Sequence, residues 1–257
     1  MQSDIGRLDG SSIYVRGRDL ADELMGHVSF TQMIAITLTG RLPEARDERL
    51  LDAVLVSLVD HGVNSSSLVT RLTYRAAPDS LQGAVAAGVL NAGDRVLGAM
   101  ENCGRMLSEG LLGNGEDSVD TARRIVATYR NEGVPVPGLG HLLHKSGDPR
   151  ATRLLDMAEE VGRRGGYIQL LEAVAAELNE SVGRPVPINV TGAIAAVLLE
   201  LGFDWHILRG FALMSRVVGL VAHVDEERLT GSAAALILDV MNESNAEHHN
   251  VDSPGTG

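Results

Sequence analysis

The sequence predicts an all-α fold, and three observations carry that prediction. Apolar residues recur at helical spacing in one segment after another. Aromatic residues make up only 3% of the chain while small residues are abundant, with 29 glycines, which suits close helix-on-helix packing better than a sheet sandwich. Only one short run, SSIYVRG at 11–17, alternates like a strand.

Taken in order, the first strong helix follows Pro43. PEARDERLLDAVLVSLVDHG sets Leu50, Leu51, Val54, Leu55, Leu58 and Val59 at i, i+3, i+4 intervals and stops at Gly62. Residues 65–110, rich in Ala, Leu and Gly, read as two or three helices packed through small side chains. In 117–133 Asp117, Ser118 or Asp120 caps, Ile125, Val126 and Tyr129 share a face, and Gly133 ends the element. Helices are expected over 148–163 and 166–182, after which GRPVPIN breaks the pattern. A long helical region follows over 190–229, interrupted near 202–204, and 230–241 adds one more. The tail NESNAEHHNVDSPGTG is polar and is expected to be disordered, with His248 and His249 solvated. No repeat period is visible.

Composition bounds the function. At 257 residues the chain can bury a core without disulfide or metal staples, as one large domain or a large domain with a satellite. Its apolar runs fall short of a membrane span and MQSDIGRLDG lacks an apolar leader core, so a soluble protein with no membrane partner is expected. The single cysteine, Cys103, points to the cytoplasm and reads as a buried hydrophobe rather than a nucleophile. A formal charge of −12 argues against nucleic acid as a partner, yet leaves room for a local basic pocket. No Cys/His/carboxylate spacing makes a case for a metal, and the isolated His27, His61, His206 and His223 read as structural.

One segment is out of character. VPGLGHLLHKSGDPRA, at 136–151, interrupts the helices. Pro135, Pro137, Gly138 and Gly140 forbid a regular helix, and the glycines allow close backbone approach or positive φ. His141 follows on a loop. Asp148 is then a good N-cap, Pro149 fits the first helical position, and Arg150 falls in the first turn. A guanidinium beside a helix N-terminus suits a carboxylate or phosphate. The alternative is a loop that only turns a corner, with His141 on backbone and Arg150 in a surface ion pair.

GLGHLLHKSGDPRA resembles the GxGHxxxxxxDPR signature of the citrate synthase superfamily, and other stretches match in order. Residues 16–44, with RGxD, an SF pair and a GxLP turn, look like the family's N-terminal region. NVTGAIAAVLLELGF (189–203) is similar to the NVDxxxG segment and SRVVGLVAHVDEER (215–228) to the SRxxGxxAH helix. LNAGDRVLGAMENCGRML (90–107) resembles the GDRFGGA stretch of citryl-CoA lyases and of the lyase module of ATP-citrate lyase.

The resemblance implies a helical bundle of two domains: a large one from 1–115 and 186–242, and a small one at 116–185 that carries His141 and Arg150, with 243–257 as the tail. It implies cleavage of citryl-CoA, or a related acyl-CoA, to acetyl-CoA and oxaloacetate. His141 would bond the alcohol or keto oxygen, Arg150 and Arg216 would grip carboxylates, and Val136, Pro137, Gly138, Leu139 and Gly140 would carry backbone contacts to CoA. The CoA ester is substrate, with no bound cofactor. A homodimer is implied, with 76–99 offering close helix contacts, and Gly138, Gly140 and 183–187 are candidate hinges. His223, inside the last motif, would line the pocket or the dimer interface.

Two departures stand out. Residues 91–97 lack the further histidine of citrate synthases, as the lyases also do. More seriously, Thr191 stands where the family has its proton-shuttling aspartate, and a hydroxyl does not ionise near neutral pH. Asp94, beside Gly93, is the candidate substitute if it is not merely an N-cap; His144, water or a substrate carboxylate are the others. The competing reading is a protein that binds a CoA ester or dicarboxylate without turning it over. With no P-loop in the chain, a separate acyl-CoA ligase would have to supply the thioester.

Overall fold

Capping residues and positive-φ glycines set most of the element boundaries in this computed structural model, which describes residues 3–112, 117–140 and 147–251. Helices dominate, as expected. The chain divides into two compact units, Met1–Ser57 with Gly98–Phe211, and Leu58–Leu97 with Ala212–Gly257. These boundaries differ from those expected at 115/116 and 185/186, because helices before and after both points pack into the first unit.

The first unit opens with a small antiparallel sheet, β1 (Gly6–Asp9), β2 (Ser12–Val15) and β3 (Arg18–Asp19), in that order. Only the middle strand was legible in the sequence, since all four residues of β1 are exposed and carry no buried alternation. Gly10 (φ 61°) makes the first two-residue turn; Arg16 (φ 50°) and Gly17 (φ 79°) make the second. Arg16 is the one described non-glycine residue at positive φ. Its Nε donates to the Thr37 carbonyl at 2.9 Å, so the turn is tied to the carbonyl end of α1 (Phe30–Thr39). That helix was not singled out by the sequence reading, although it carries a capping box, Ser29 with Gln32, and ends at Gly40 in the left-handed region.

Next come α2 (Ala45–Leu58), the part of α5 (Asp94–Leu112) from residue 98, α6 (Ser118–Glu132), α7 (Pro149–Glu160), α8 (Gly166–Val182) and α9 (Val190–Glu200). α9 is the core of the unit: all of 192–199 is buried. α7 and α8 pack against it and α6 packs on α8. Glu200, at the end of α9, accepts from the Tyr167 and Ile168 N–H groups at 2.8 and 3.1 Å and so satisfies the start of α8.

The second unit holds α3 (Ser65–Ala76), α4 (Leu81–Asn91), the later part of α10 (Leu208–Thr230) and α11 (Ser232–Val251). Small side chains set the α3–α4 approach: a Cβ on Gly88 would lie 2.0 Å from Thr70 Oγ1. Segment 65–110 thus becomes three helices, and the expected break before α10 is made by Gly202 (φ 83°) and a short 3₁₀ turn at Trp205–Ile207. Among the described residues, one stretch, Trp205–Thr230, has the length and hydropathy of a membrane span, and half of its most apolar window is buried in the protein.

One expectation is corrected. The tail was expected to be disordered from 243, yet α11 runs to Val251; neither Gly nor Pro occurs over 232–251 to stop it. The side chains of His248 and His249, and residues 252–257, lie outside what the structure describes.

The glycine contacts make a paired prediction. Gly88→Ala should lower unfolding stability by about 1–3 kcal/mol through overpacking. Gly210→Ala, where a Cβ meets nothing within 4 Å, should raise it by about 0.5–1 kcal/mol. Urea unfolding of both variants reads the contrast directly.

Candidate active site

In the first unit the candidate site is built around a buried carboxylate. Asp148, with a fully buried side chain, caps α7 by accepting from the Arg150 N–H at 3.1 Å. Its other oxygen accepts from Val190 N–H, at the start of α9, at 3.1 Å. Arg150 closes on the same carboxylate with Nε at 3.1 Å and Nη2 at 3.0 Å. Burial alone would push this carboxyl up, but the Arg150 bonds and charge and the two backbone N–H groups outweigh it and hold the pKa below the ordinary 3.8. Arg150 is therefore not an unengaged anion ligand. The side-on pair uses Nε and Nη2 and leaves Nη1 for a second acceptor, on a side chain that is 31% exposed.

The prolyl-glycyl loop lies on the start of α9. Gly138 (φ 85°) is pressed against Gly192: a Cβ on Gly192 would sit 2.4 Å from the Gly138 carbonyl oxygen, and one on Gly138 would sit 2.6 Å from Cys103 Sγ. Asn189 N–H donates to the Gly138 carbonyl at 3.0 Å, Gly140 N–H to the Pro187 carbonyl at 2.7 Å, and Asn189 Nδ2 to the Gly140 carbonyl at 2.8 Å. The positive φ values of these glycines thus serve close packing, and several backbone groups expected for CoA are satisfied internally. Cys103 is buried, and burial pushes its thiol up to about 12. Thr191 is tied back on the helix cap, its Oγ1 donating to Asn189 Oδ1 at 2.6 Å. Beside the loop lies an open cleft of about 720 Å3 whose apolar wall includes Val136, Leu139, Leu178 and Val186, with Arg130 and Arg184 among its lining residues.

The second unit carries a separate polar cluster on one face of α10. Arg216 is 7% exposed and directs Nη2 to His61 Nε2 at 3.3 Å. One turn on, Gly219 gives room for the loop, since a Cβ there would lie 2.3 Å from the Val59 carbonyl oxygen. A further turn on, His223 Nε2 meets Asp60 Oδ2 at 2.9 Å. Arg71 approaches His223 Nδ1 with Nε at 3.1 Å and Nη2 at 2.7 Å. Because an arginine only donates, Nδ1 accepts and Nε2 carries the proton toward Asp60. Both ring nitrogens of His223 are thereby engaged, which fits a positioning role. Burial pushes the Asp60 carboxyl up, but the Gly62 N–H, His223 and the Arg216 charge together hold it below its ordinary value.

Asp94 opens α5, exposed and in its first turn; the preceding Gly93, whose carbonyl accepts from Leu97 N–H, occupies the cap position. His141 and His144 lie outside the described residues. The sequence reading missed Asp60, His61 and Arg71 as a cluster with Arg216. The available signal was the polar stripe Ser66, Ser67, Thr70 and Arg71 at helical spacing, all four buried on α3. His61 and His223 read singly as structural because their partners, Arg216 for the one and Asp60 for the other, are far from them in sequence.

Comparison with known proteins follows the same lines. The model of the citrate synthase C-terminal domain family matches residues 26–237. In structure the chain is similar to citryl-CoA lyase from Hydrogenobacter thermophilus, with 39% identity and a TM-score of 0.82 over 90% of this chain and 87% of that one. It is also similar to ATP citrate lyase from Methanothrix soehngenii, solved with citrate and coenzyme A, with a TM-score of 0.77 over 90% of this chain and 39% of that one. At 19% identity the latter is a likeness of fold. In sequence it is similar to citrate synthase of Deinococcus radiodurans, 30% identical over 193 residues, which is 74% of this chain and 50% of that protein. The chain spans about half the length of such curated citrate synthases.

The Asp148 junction predicts a pH-dependent loss. Its folded-state pKa is depressed, so its contribution is fully present above the unfolded carboxylate pKa, about 4, and disappears as pH falls through the folded value. Asp148→Asn should cost about 1–3 kcal/mol at pH 7. The gap to wild type should narrow below about pH 4, as read by denaturant unfolding across pH.

Proposed function

The chain belongs to the citrate synthase family, and on that premise we propose that it is a citryl-CoA lyase-type enzyme, cleaving citryl-CoA or a related acyl-CoA to acetyl-CoA and a keto acid. The observation that carries this reading is the 39% identity to a citryl-CoA lyase along nearly the whole of both chains. The citrate synthase relatives, by contrast, are matched over half their length.

In this reaction the tertiary hydroxyl loses its proton and the bond between the carbinol carbon and the thioester methylene breaks. The carbinol carbon becomes the ketone of oxaloacetate, and the electron pair leaves as the acetyl-CoA enolate, which takes up one proton. His141 handles the hydroxyl proton, a task suited to imidazole near neutral pH. Arg150, through its remaining Nη1 edge, and Arg216, steadied by the His61 and Asp60 loop, each take a substrate carboxylate. The apolar cleft with Arg130 and Arg184 takes part of CoA, its side chains adding to the backbone of 136–140. No carboxylate stands at 191, so the enolate proton comes from Asp94, His144, water or a substrate carboxylate. The thioester comes from a separate acyl-CoA ligase, and the lyase acts in the cytoplasm as a homodimer.

One observation favours a second reading, binding without turnover: the Thr191 hydroxyl is committed to Asn189 and offers no general base. Incubation with citryl-CoA, following oxaloacetate by coupled NADH oxidation, separates the two. The lyase reading expects product from wild type, a loss of about 10²–10⁴ in kcat for His141→Ala, and a higher KM for Arg150→Gln and Arg216→Gln. Thermal stabilisation by citryl-CoA with no product from wild type would sink turnover of citryl-CoA and support binding. Activity gained only by Thr191→Asp would locate the deficit at that residue.

A further inference from the structure

A second cavity lies in the first unit, at the far end of α9 from Asp148. α9, 11 residues long, meets Asp148 at its start and carries Glu200 at its end, which separates the two places by about 15 Å. The cavity has a volume of about 400 Å3 and is bounded by the turn between α1 and α2, the start of α2, Arg163 and the residues that close α9.

Its charges sort into a settled set and an unsettled one. Asp47 takes Arg163 side-on, with Nε at 2.6 Å and Nη2 at 2.7 Å, and Glu44 accepts from Arg46 Nε at 2.8 Å. Glu200 Oε1 accepts from the Tyr167 and Ile168 N–H groups, which leaves Oε2 with no donor among the described residues. Arg41 meets no carboxylate among the described residues either; its Nη2 lies against Gly202, 3.5 Å from where a Cβ would stand. One guanidinium and one carboxylate oxygen are thus left over, with Arg163 Nη1 as a further donor. Leu42, Leu51 and Phe203 make the cavity apolar on its remaining sides.

The groups left over define the ligand. A phosphate or dicarboxylate is disfavoured, because Glu44, Asp47 and Glu200 outnumber the two arginines in the lining. A simple amine leaves Arg41 unanswered and an aliphatic acid leaves Glu200 so, each at the cost of desolvating a charged group without a partner. A zwitterion answers both. A volume of about 400 Å3 is near the small end of ligand pockets, roughly 300–1,000 Å3, which suits a molecule of amino-acid size rather than a nucleotide.

We propose that this cavity binds a free α-amino acid with an aliphatic side chain. The carboxylate takes Arg41 and Arg163 Nη1, the ammonium takes Glu200 Oε2, and the side chain lies on Leu42, Leu51 and Phe203. The site is separate from the candidate active site and does not rest on the lyase reading.

The test is isothermal titration calorimetry of the full chain with L-leucine, L-isoleucine, L-valine and L-methionine, each to about 10 mM. It needs no turnover, so a failure of the lyase reading leaves its outcome legible. At least one amino acid should bind, and Arg41→Gln and Glu200→Gln should each raise its dissociation constant roughly tenfold or more. Arg41→Gln changes an exposed side chain, and Glu200→Gln keeps an oxygen for the two α8 N–H groups; circular dichroism checks that both fold. The decarboxylated amine and the deaminated acid of the same skeleton should bind more weakly by a similar factor, and Arg150→Gln should leave binding unchanged. Neither heat nor a rise in melting temperature from any of the four amino acids would overturn the proposal. Binding that survives both cavity substitutions, or that Arg150→Gln abolishes, would put the amino acid elsewhere and sink it as well. An amine that binds as tightly as its amino acid would make the cavity a cation site and end the zwitterion assignment.

Discussion

The first unit depends on one buried carboxylate shared by two helix N-termini. A carboxylate with no exposure is costly unless every lone pair is used. Asp148 meets that condition with four donors, two backbone N–H groups and two from one guanidinium. Because the donors come from α7, α9 and Arg150, satisfying the charge also fixes the angle between two helices. The glycine pair Gly138 and Gly192 then lets the loop close over the start of α9, so the residues that precede His141 are laid against a rigid support.

The second unit solves a similar problem with a relay. Glu227, Arg71, His223 and Asp60 are joined by successive contacts, running from the start of α11 to the loop beside Arg216. The same buried groups therefore aim the last helix and hold the loop that steadies Arg216. Change at one end has a physical route to the other, because Arg71 is common to both and is 5% exposed.

Much of the fold was legible because helix termini write themselves locally. Gly133, Gly183 and Gly202 stop their helices at positive φ, and Asp148-Pro149 begins one. What escaped was information that is not local. β1 has no buried face and so no alternation; α1 is a short apolar run whose capping box, Ser29 with Gln32, the sequence reading did not single out; α11 lacks a breaker until past Val251. At the site, Asp148 was read as a cap, which it is. That it also grips Arg150 and α9 follows only from tertiary approach. The Asp60, His61 and Arg71 cluster is spread over two chain segments and a distant helix, and no spacing rule links them.

Thr191 is where these constraints meet the chemistry. It lies on the first turn of α9, next to Val190, whose N–H is already given to Asp148, and its hydroxyl donates to the Asn189 cap. A carboxylate at 191 could not donate to Asn189 Oδ1, although the first turn of a helix favours a negative charge. A hydroxyl adds a bond to the cap. Position 191 in this chain is thus arranged for a firm helix start rather than for a mobile proton, and a lyase built on it must draw the proton for the enolate from another group or from the substrate itself.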